Sequence, residues 1–326
     1  MTTNLSACIR ATLVLLATAM TASTAMAQAW PAKPVRVVVA FTAGGSTDIR
    51  TRAVNQQLSE KLRQSFIVDN KPGAGGNLGT EMVVRSAPDG YTLMVNSVGP
   101  IAVNPTLYSR LPYDPLTELI PIVQIADVPN VLVVPSSLPV KTFDEFIAYA
   151  KANPGKLNYA STGTGTSSHL SGFILGKRAE IQATHVPYKG ADALRDLLAG
   201  RVQFMFATIP SVMAHINSGG LRAIAVTSLK RSRSLPDVPS VSDKGFPGFE
   251  AGSWFGYFAP KGTPPEVVAT LNKAVNEIIA VPAMEAQLIK EGADPTGGTP
   301  QQFAQFVQRE YEKWKVVVQE SGAKAD

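Results

Sequence analysis

Short apolar, β-branched runs alternate along the chain with segments whose apolar residues recur every three or four positions. The clearest run, Val35 to Ala40, is bounded by Pro34 on one side and by Gly44-Gly45 on the other. Such a run, ended by a glycine turn, is typical of a buried strand. The residues beyond the turn predict a helix, because their apolar positions share one helical face. These positions are Ile49, Ala53, Val54, Leu58 and Leu62.

The alternation of strand and helix patterns continues to the end of the chain and predicts an α/β protein. No single shift in composition marks a domain boundary, so a protein of two lobes would need a chain that crosses between them more than once. Further strands are predicted at 66–69, 91–96, 157–160, 202–207, 221–227 and 253–259, and two more within 122–134, interrupted at 127–130. Further helices are predicted at about 77–86, 143–152, 191–199, 265–279 and 300–320, with one more that ends near 177.

The first 27 residues have the pattern of a secretory signal, with Arg10 as their only charge. An apolar core at 11–19 is followed by Ala25-Met26-Ala27, and the core is too short for the roughly 20 residues of a membrane helix. We therefore expect export to the periplasm and cleavage after Ala27. The single cysteine, Cys8, leaves with this segment, so the mature chain is expected to form no disulfide.

The charge pattern favours a small anionic ligand over a nucleic acid. The formal net charge is +5, and the basic residues are scattered except at Lys230 to Arg233. A nucleic-acid groove needs a basic stripe with interleaved aromatic residues, which this sequence lacks. We interpret Lys230 to Arg233 as a solvated loop and predict no nucleic-acid partner.

Three glycine-rich segments each connect a predicted strand to a predicted helix. The first is 41–48, where Ser46, Thr47 and Asp48 supply N-cap chemistry, and the others are 72–79 and 161–170. Such junctions present free backbone N–H groups and the positive end of a helix dipole, which together attract anions. One such turn is as consistent with a structural role as with binding, but three in one chain favour an anion receptor.

The sequence gives little support to catalysis, nucleotide binding or metal binding. No G-K-[ST] follows the glycines, and the three histidines lack metal-ligand spacing. His169 at the head of a helix is either a ligand contact or a neutral packed side chain. Asp48 suits capping better than general-base catalysis, and Tyr188 suits ligand stacking and core packing equally. We predict no catalytic residue, no metal and no cofactor.

Seven segments together resemble the Bug-type solute receptors of tripartite tricarboxylate transporters. They are A-F-T-A-G-G-S-T-D-I-R-T-R, N-K-P-G-A-G-G-N-L-G, A-P-D-G-Y-T-L, S-T-G-T-G-T-S-S-H-L, V-P-Y-K-G, A-V-T-S-L-K-R-S-R-S-L-P-D-V-P-S and A-P-K-G-T-P-P-E-V-V. The resemblance implies a type II periplasmic binding protein fold, with two α/β lobes, two crossover strands and a ligand cleft. It places the signal at 1–27, the first lobe at 28–126 and 249–326, and the second lobe at 127–248, with crossovers near 125–131 and 250–257.

The resemblance also implies a monomeric receptor that passes a small organic carboxylate to an inner-membrane permease. The ligand class spans di- and tricarboxylates, amino acids and aromatic acids. An exported enzyme and a sensory module that presents its ligand to a membrane receptor are the alternative functions. The family's usual proline-glycine-glycine is Ala43-Gly44-Gly45 here. The expected ligand-binding residues are Phe41, Ala43, Gly44, Gly45, Ser46, Thr47, Asp48, Ala74, Gly75, Gly76, Asn77, Ser97, Ser161, Thr162, Gly163, Thr164, Thr166, His169, Tyr188, Ala207 and Thr208.

Overall fold

One long strand, Leu119–Pro135, is shared by two halves of a sheet in the computed structural model. The structure describes residues 30–188 and 192–325. The predicted signal at 1–27 and the start of the helix predicted at 191–199 lie outside these ranges. Residues from Lys33 onward form one unit, and the helices and strands that follow belong to it.

The mixed α/β class expected from the alternating pattern is confirmed. The strands are β1 (Val35–Val39), β2 (Phe66–Asn70), β3 (Thr92–Ser97), β4 (Leu119–Pro135), β5 (Leu157–Ser161), β6 (Ala183–Pro187), β7 (Phe204–Thr208), β8 (Leu221–Val226), β9 (Gly252–Pro260) and β10 (Asp294–Gly297). The helices are α1 (Ser46–Leu62), α2 (Asn77–Val84), α3 (Asn104–Leu107), α4 (Phe143–Ala152), α5 (Ser167–Ala179), α6 (Asp192–Leu198), α7 (Ile209–Asn217), α8 (Pro265–Ile279), α9 (Pro282–Lys290) and α10 (Pro300–Ser321).

The sheet topology gathers the glycine-rich loops at two edges. The strand order is β2-β1-β3-β9-β4-β7-β5-β6, with β8 and β10 also paired to β4. β1 is parallel to β2 and β3, and β5 is parallel to β6 and β7. Because neighbouring parallel strands end at the same edge of a sheet, the loops after β1, β2 and β3 share one edge, and those after β5, β6 and β7 share another.

The prediction of two strands within 122–134 is wrong, because β4 is continuous. Its first part, up to Pro129, pairs with β9, and its second part, from Asn130, pairs with β7 and β8. Pro129 has no N–H to donate, but the backbone of the next residue, Asn130, forms hydrogen bonds with Thr227. Asn130 N–H donates to Thr227 Oγ1 at 2.9 Å, and Asn130 O accepts the Thr227 N–H at 2.8 Å. Local polarity therefore marks a change of strand partners, not an end of the strand.

The predicted apolar face of α1 is correct in its middle and wrong at its start. Val54 and Leu58 are fully buried, whereas the Ile49 side chain is 47% exposed. Arg50, the next residue, is only 2% exposed. The first turn of α1 therefore packs through polar contacts at the sheet edge, which hydrophobic periodicity does not predict.

The sequence prediction missed five of these helices and strands: α3, β6, α7, α9 and β10. β6 and β10 are short strands with few buried apolar residues, and both lie at the margin of the sheet path. The missed helices α3, α7 and α9 have four, nine and nine residues, and each begins at or next to proline, which is a favourable first helical residue. Short elements of this kind are specified by their neighbours more than by their own pattern.

Among the described residues, no single helix has the length and apolarity to cross a membrane. The bent pair of α8 and α9 meets that criterion by length and composition only.

A cluster of carboxylates lies where β4 changes partners. Asp127 is paired in register with Trp254 of β9 and with Asp294 of β10. Its Oδ1 accepts a hydrogen bond from Gln124 Nε2 at 2.5 Å. Burial, with smaller contributions from the charges of Glu250, Glu310 and Asp294, raises the pKa of the Asp127 carboxyl to about 7, although the Gln124 hydrogen bond opposes this.

This raised pKa predicts a pH-dependent stability. The folded state binds the Asp127 proton more tightly than the unfolded state does. The bound proton therefore contributes its full amount to the free energy of unfolding below about pH 4, and this contribution is lost as the pH rises through about 7. We expect Asp127→Asn to raise the urea midpoint at pH 8 relative to the wild type and to leave it nearly unchanged at pH 4. The exposed Asp237→Asn is the control, and equal midpoints of Asp127→Asn and wild type at pH 8 would contradict the prediction.

Candidate ligand-binding site

The first glycine-rich loop connects β1 to α1. The N-cap of α1 is Gly45, and no side chain of the described residues caps the helix. The prediction that Ser46, Thr47 or Asp48 caps it is therefore wrong. Since the first N–H groups of a helix have no partner within it, the amides of the first turn remain available to an anion.

Asp48 fixes the loop instead of capping the helix. Its Oδ2 accepts from Gly44 N at 2.8 Å and from Arg52 Nε at 3.0 Å, and its Oδ1 accepts from Asn70 Nδ2 at 3.0 Å. Asn70 Nδ2 also donates to Phe41 O at 3.1 Å. Burial favours a higher pKa for the Asp48 carboxyl, but these hydrogen bonds and the charge of Arg52 outweigh it, so the pKa is lowered. Both oxygens of Asp48 are occupied and the side chain is buried, which counts against a general base.

The second loop, between β5 and α5, is held by its own residues. Thr166 is the N-cap of α5 and accepts from His169 N at 3.3 Å. Gly163 N donates to Ser161 Oγ at 3.2 Å, and Gly165 N donates to His169 Nδ1 at 3.1 Å. The expectation that the glycine amides stay free is therefore wrong for these residues, as it is for Gly44.

The glycines of both loops provide backbone shape. Gly44, Gly163 and Gly165 have φ values of 78°, 140° and 77°, which disfavour other residues. The amides of Thr162 and Thr164 donate to no atom of the described residues. The amides of these two exposed residues and of the first turn of α1 are therefore among the N–H groups that the loops leave for a ligand.

Two histidines stack beneath the second loop. The rings of His169 and His185 lie 3.8 Å apart between centroids, and His185 also packs against Tyr159 at 5.0 Å. His185 Nε2 lies 2.7 Å from Ser161 Oγ. Burial lowers the pKa of both histidines to about 4, and the neighbouring His185 contributes to the shift of His169. His169 therefore takes the neutral packed form and shapes the loop through Gly165.

We expect acid to weaken the second loop. The unfolded chain takes up protons on these histidines below about pH 6.5, whereas the folded protein resists them until about pH 4, so stability falls over that interval. His169→Asn keeps an acceptor for Gly165 N but does not titrate, and we expect a shallower loss of urea midpoint between pH 6.5 and pH 4. His215→Asn is the control, and an unchanged slope in His169→Asn would contradict the assignment.

The third glycine-rich loop, at 72–79 between β2 and α2, packs against the first. A Cβ on Gly76 would lie 3.4 Å from Phe41 Cζ and 2.6 Å from Pro100 Cγ. Asn77 Oδ1 accepts from Asn104 Nδ2 at 2.7 Å and from the Tyr113 hydroxyl at 2.9 Å. The third loop is thus a fixed wall beside the first.

The remaining predicted residues lie at the same two edges. Ser97, at the end of β3, is buried and donates its N–H to Asn96 Oδ1 at 2.9 Å. Tyr188 N donates to Ser161 O at 3.0 Å, and the Tyr188 hydroxyl donates to Asp196 Oδ2 at 3.0 Å. Two residues of the P-Y-K-G motif that contains Tyr188, at 189 and 190, lie outside the described residues.

Burial divides the predicted residues into two groups. Exposed or half-buried residues are able to contact a ligand: Phe41, Ala43, Gly44, Gly45, Ser46, Ala74, Gly75, Thr162, Gly163, Thr164, Thr166, Tyr188 and Thr208. Buried residues position the loops: Thr47, Asp48, Gly76, Asn77, Ser97, Ser161, His169 and Ala207.

Residues from both edges meet at two places. A cavity of about 370 Å³ is lined by Ser46 of the first loop and by Thr208 at the end of β7, although the second loop does not line it. A Cβ on Gly165 would lie 2.4 Å from Leu107 Cδ2 of α3, so the second loop touches the β3 side of the molecule. The two loop edges therefore face one another.

Sequence reasoning missed the residues that hold these loops. Arg52 and Asn70 fix Asp48, Asn104 and Tyr113 fix Asn77, and His185 supports Ser161. Two signals were available, because Asn70 lies two residues before the third glycine-rich segment and Arg52 lies one helical turn after Asp48. Asn104, Tyr113 and His185 are far in sequence from the residues they hold, and only the fold brings them close.

Comparison with known proteins identifies the class. The receptor model of the tripartite tricarboxylate transporter family matches residues 50–323. BugT of Bordetella pertussis is 39% identical over 313 residues, which cover 95% of this chain and 96% of BugT. The structure of R. palustris Rpa4515 with adipate has a TM-score of 0.80 and 38% identity, covering 90% of this chain and 99% of that one. The structure of MatC from Rhodopseudomonas palustris with bound malate has a TM-score of 0.74 and 33% identity, covering 89% of this chain and 100% of that one.

The fold is the two-lobed α/β fold of periplasmic binding proteins. The chain belongs to the TctC family, the receptors of tripartite tricarboxylate transporters, and the resemblance seen in the sequence is confirmed. Its family and structural relatives are substrate-binding proteins, not enzymes.

Proposed function

We propose that this chain is a periplasmic receptor that binds a small organic carboxylate between its first and second glycine-rich loops. The observation that carries the proposal is the uncapped start of α1, a helix of 17 residues with a glycine N-cap. The first turn presents N–H groups and the positive end of the helix dipole, which bind a carboxylate without any cationic side chain. The amides of Thr162 and Thr164 supply donors from the opposite edge.

The family relatives support a carboxylate as the ligand class. One structural relative contains adipate and another contains malate. The lobes are proposed at 28–126 with 249–326 and at 127–248, and the ligand stabilises a closed arrangement by binding it more tightly than an open one. The occupied oxygens of Asp48 count against the alternative of an exported enzyme.

A backbone substitution at Ser46 tests the role of the amides. Ser46 is the first residue of α1, where proline is well tolerated, and Gly45 has φ −75° and ψ 167°, which suit a residue before proline. Ser46→Pro removes one N–H, whereas Ser46→Ala removes only the hydroxyl. By calorimetry against a panel of di- and tricarboxylates, amino acids and aromatic acids, we expect Ser46→Pro to weaken binding about tenfold or more and Ser46→Ala about threefold or less.

Two outcomes would contradict the proposal. The first is a folded wild type that binds no member of the panel. The second is equal weakening by Ser46→Pro and Ser46→Ala, which would assign the effect to the hydroxyl and not to the amide.

We further propose that the receptor acts as a monomer in the periplasm and delivers its ligand to an inner-membrane permease of the same transporter family. Cell fractionation with sequencing of the mature N-terminus is expected to find the chain in the periplasm, beginning at Gln28. Uptake of the bound carboxylate is expected to fall in cells that lack either the receptor or the permease. Uptake that needs only the permease would contradict the transport role.

A further inference from the structure

The cavity between the two loop edges contains a buried cation. It is formed by the start of α1, the start of α7 and the end of α9, and it has a volume of about 370 Å³. Its lining residues are Ser46, Ile49, Arg50, Thr208, Pro210, Ser211 and Glu291.

The hydrogen bonds of Arg50 leave part of its guanidinium unused. Nη1 donates to Ser46 O at 2.9 Å and also to Ser46 Oγ, and Nη2 donates to Glu291 O at 2.6 Å. Nε is buried and donates to no atom of the described residues. A guanidinium has five N–H donors, so Nε and one N–H of Nη2 remain. Nε and Nη2 form one edge of the guanidinium, and arginine can bind a carboxylate through such an edge by two parallel hydrogen bonds.

The carboxylate that balances the charge of Arg50 lies at a distance beyond a hydrogen bond. The nearest carboxylate oxygen, Glu291 Oε2, lies 3.9 Å from Nε. Glu291 is 27% exposed, and its Oε1 accepts from Gln287 Nε2 at 3.1 Å. Burial lowers the pKa of Arg50 and Glu291 opposes this, but an arginine retains its proton in proteins. A buried cation with a distant counter-ion carries a desolvation cost, and a second anion bound to it offsets that cost.

The position of Arg50 relates it to the proposed carboxylate site. Ser46, which it contacts, opens α1 and belongs to the first loop. The guanidinium also lies 5.4 Å from the Phe255 ring, and Phe255 is paired in register with Ser97. Arg50 is therefore one helical turn from the first-loop amides and faces Thr208 across the cavity.

We propose that Arg50 binds a second carboxylate of the ligand and so makes this chain selective for dicarboxylates. This inference rests on the proposed function, in which the first carboxylate is bound by the amides of the two loops. The side chain of Glu291 competes with the second carboxylate for Arg50, and a bound dicarboxylate displaces it.

Matched ligands separate this role from a structural one. Wild type and Arg50→Gln are titrated calorimetrically with straight-chain dicarboxylates of about four to eight carbons and with monocarboxylates of the same lengths. We expect the wild type to prefer at least one dicarboxylate about tenfold or more over its matched monocarboxylate. In Arg50→Gln, we expect the affinity for that dicarboxylate to fall about ten- to one-hundredfold and that for the monocarboxylate to change about threefold or less.

Glu291→Gln provides a second test that leaves Arg50 itself and its bond to the Glu291 backbone carbonyl in place. We expect it to raise the dicarboxylate affinity about threefold by removing the competing charge, and to leave monocarboxylate binding unchanged. Glu285→Gln, on the same helix but outside the cavity, is the control.

The outcomes distinguish this inference from the proposed function. Equal loss for both ligand types in Arg50→Gln would show a structural role and overturn the inference, and so would no loss for either type. If Arg50→Gln does not fold, a Glu291→Gln variant with unchanged or weaker dicarboxylate binding overturns it. A wild type that binds monocarboxylates as tightly as dicarboxylates overturns the inference and leaves the proposed function intact, whereas a wild type that binds neither overturns both.

Discussion

Replacing Asp48 with alanine is expected to weaken carboxylate binding strongly and to lower the stability of the folded chain. The substitution removes the acceptor for Gly44 N–H, for Arg52 Nε and for Asn70 Nδ2. The first loop then loses the Gly44 bond to α1, and its only remaining side-chain bond to β2 is the one from Asn70 Nδ2 to Phe41 O among the described residues. Because buried donors left without an acceptor are costly, we expect a loss of about 2 to 4 kcal/mol in unfolding free energy.

Asp48→Ala is expected to lower the ligand affinity as well as the stability. The first-loop amides must converge on one carboxylate, and a loop that samples several arrangements presents the right one only part of the time. We expect calorimetry to show an affinity reduced by about one hundredfold or more in Asp48→Ala. Urea unfolding of the same samples measures the stability change and confirms that the protein tested is folded.

Asp144→Ala is the matched control for Asp48→Ala. Asp144 is also an acidic residue in the first turn of a helix, but its side chain is 70% exposed and its ion pair is with Lys244 at 2.8 Å. Exposed pairs contribute little, so we expect a change below about 1 kcal/mol and no change in affinity. Wild-type affinity in Asp48→Ala would show that the first loop does not need this anchor.

The fold was predictable where a strand or helix carries its own pattern. β1, α4 and α8 follow from a β-branched run or from helical periodicity, and the structure has them within a residue or two of the predicted bounds. The continuous course of β4 was not predictable from local sequence. Pro129 breaks the pattern, and the side chain that rescues the neighbouring Asn130 N–H is Thr227, almost a hundred residues away.

The candidate site was predictable in its loops but not in its supports. Glycine and hydroxyl residues between a strand and a helix indicated where the loops lie. The same pattern misled on which amides are free, because Gly44, Gly163 and Gly165 donate to side chains that close over them. The burial of Arg50 was also not predictable from the sequence. Its position in the helical pattern is that of a solvated residue, and only the packing of α1 against the end of the sheet buries it.

Burial of polar residues at the start of α1 has a functional consequence. The middle of the helix packs on apolar residues, as its pattern predicts, and so fixes the axis. The first turn is held by hydrogen bonds instead, through Asp48 and Arg50. Hydrogen bonds constrain direction as well as distance, which suits a turn whose amides must point at a ligand.

Gly79→Ala is expected to destabilise the protein strongly through a backbone clash next to the site. A Cβ at this position would lie 2.8 Å from Lys71 O, 2.9 Å from Ala40 Cα and 3.0 Å from Ala40 Cβ. Backbone atoms on two sides cannot move as a flexible side chain can, so α2 must shift away from the end of β1. We expect a loss of about 2 to 4 kcal/mol in unfolding free energy, measured by urea denaturation.

Ligand binding is expected to weaken together with stability, because Ala40 directly precedes the first loop and Gly76 packs against Phe41. Gly99→Ala is the control for stability, since a Cβ there meets no heavy atom within 4 Å and the backbone needs no positive φ. We expect that control to unfold within about 0.5 kcal/mol of the wild type. If Gly79→Ala unfolds at the wild-type urea midpoint, α2 and the third loop are free to move relative to β1, and the fixed wall beside the first loop does not exist.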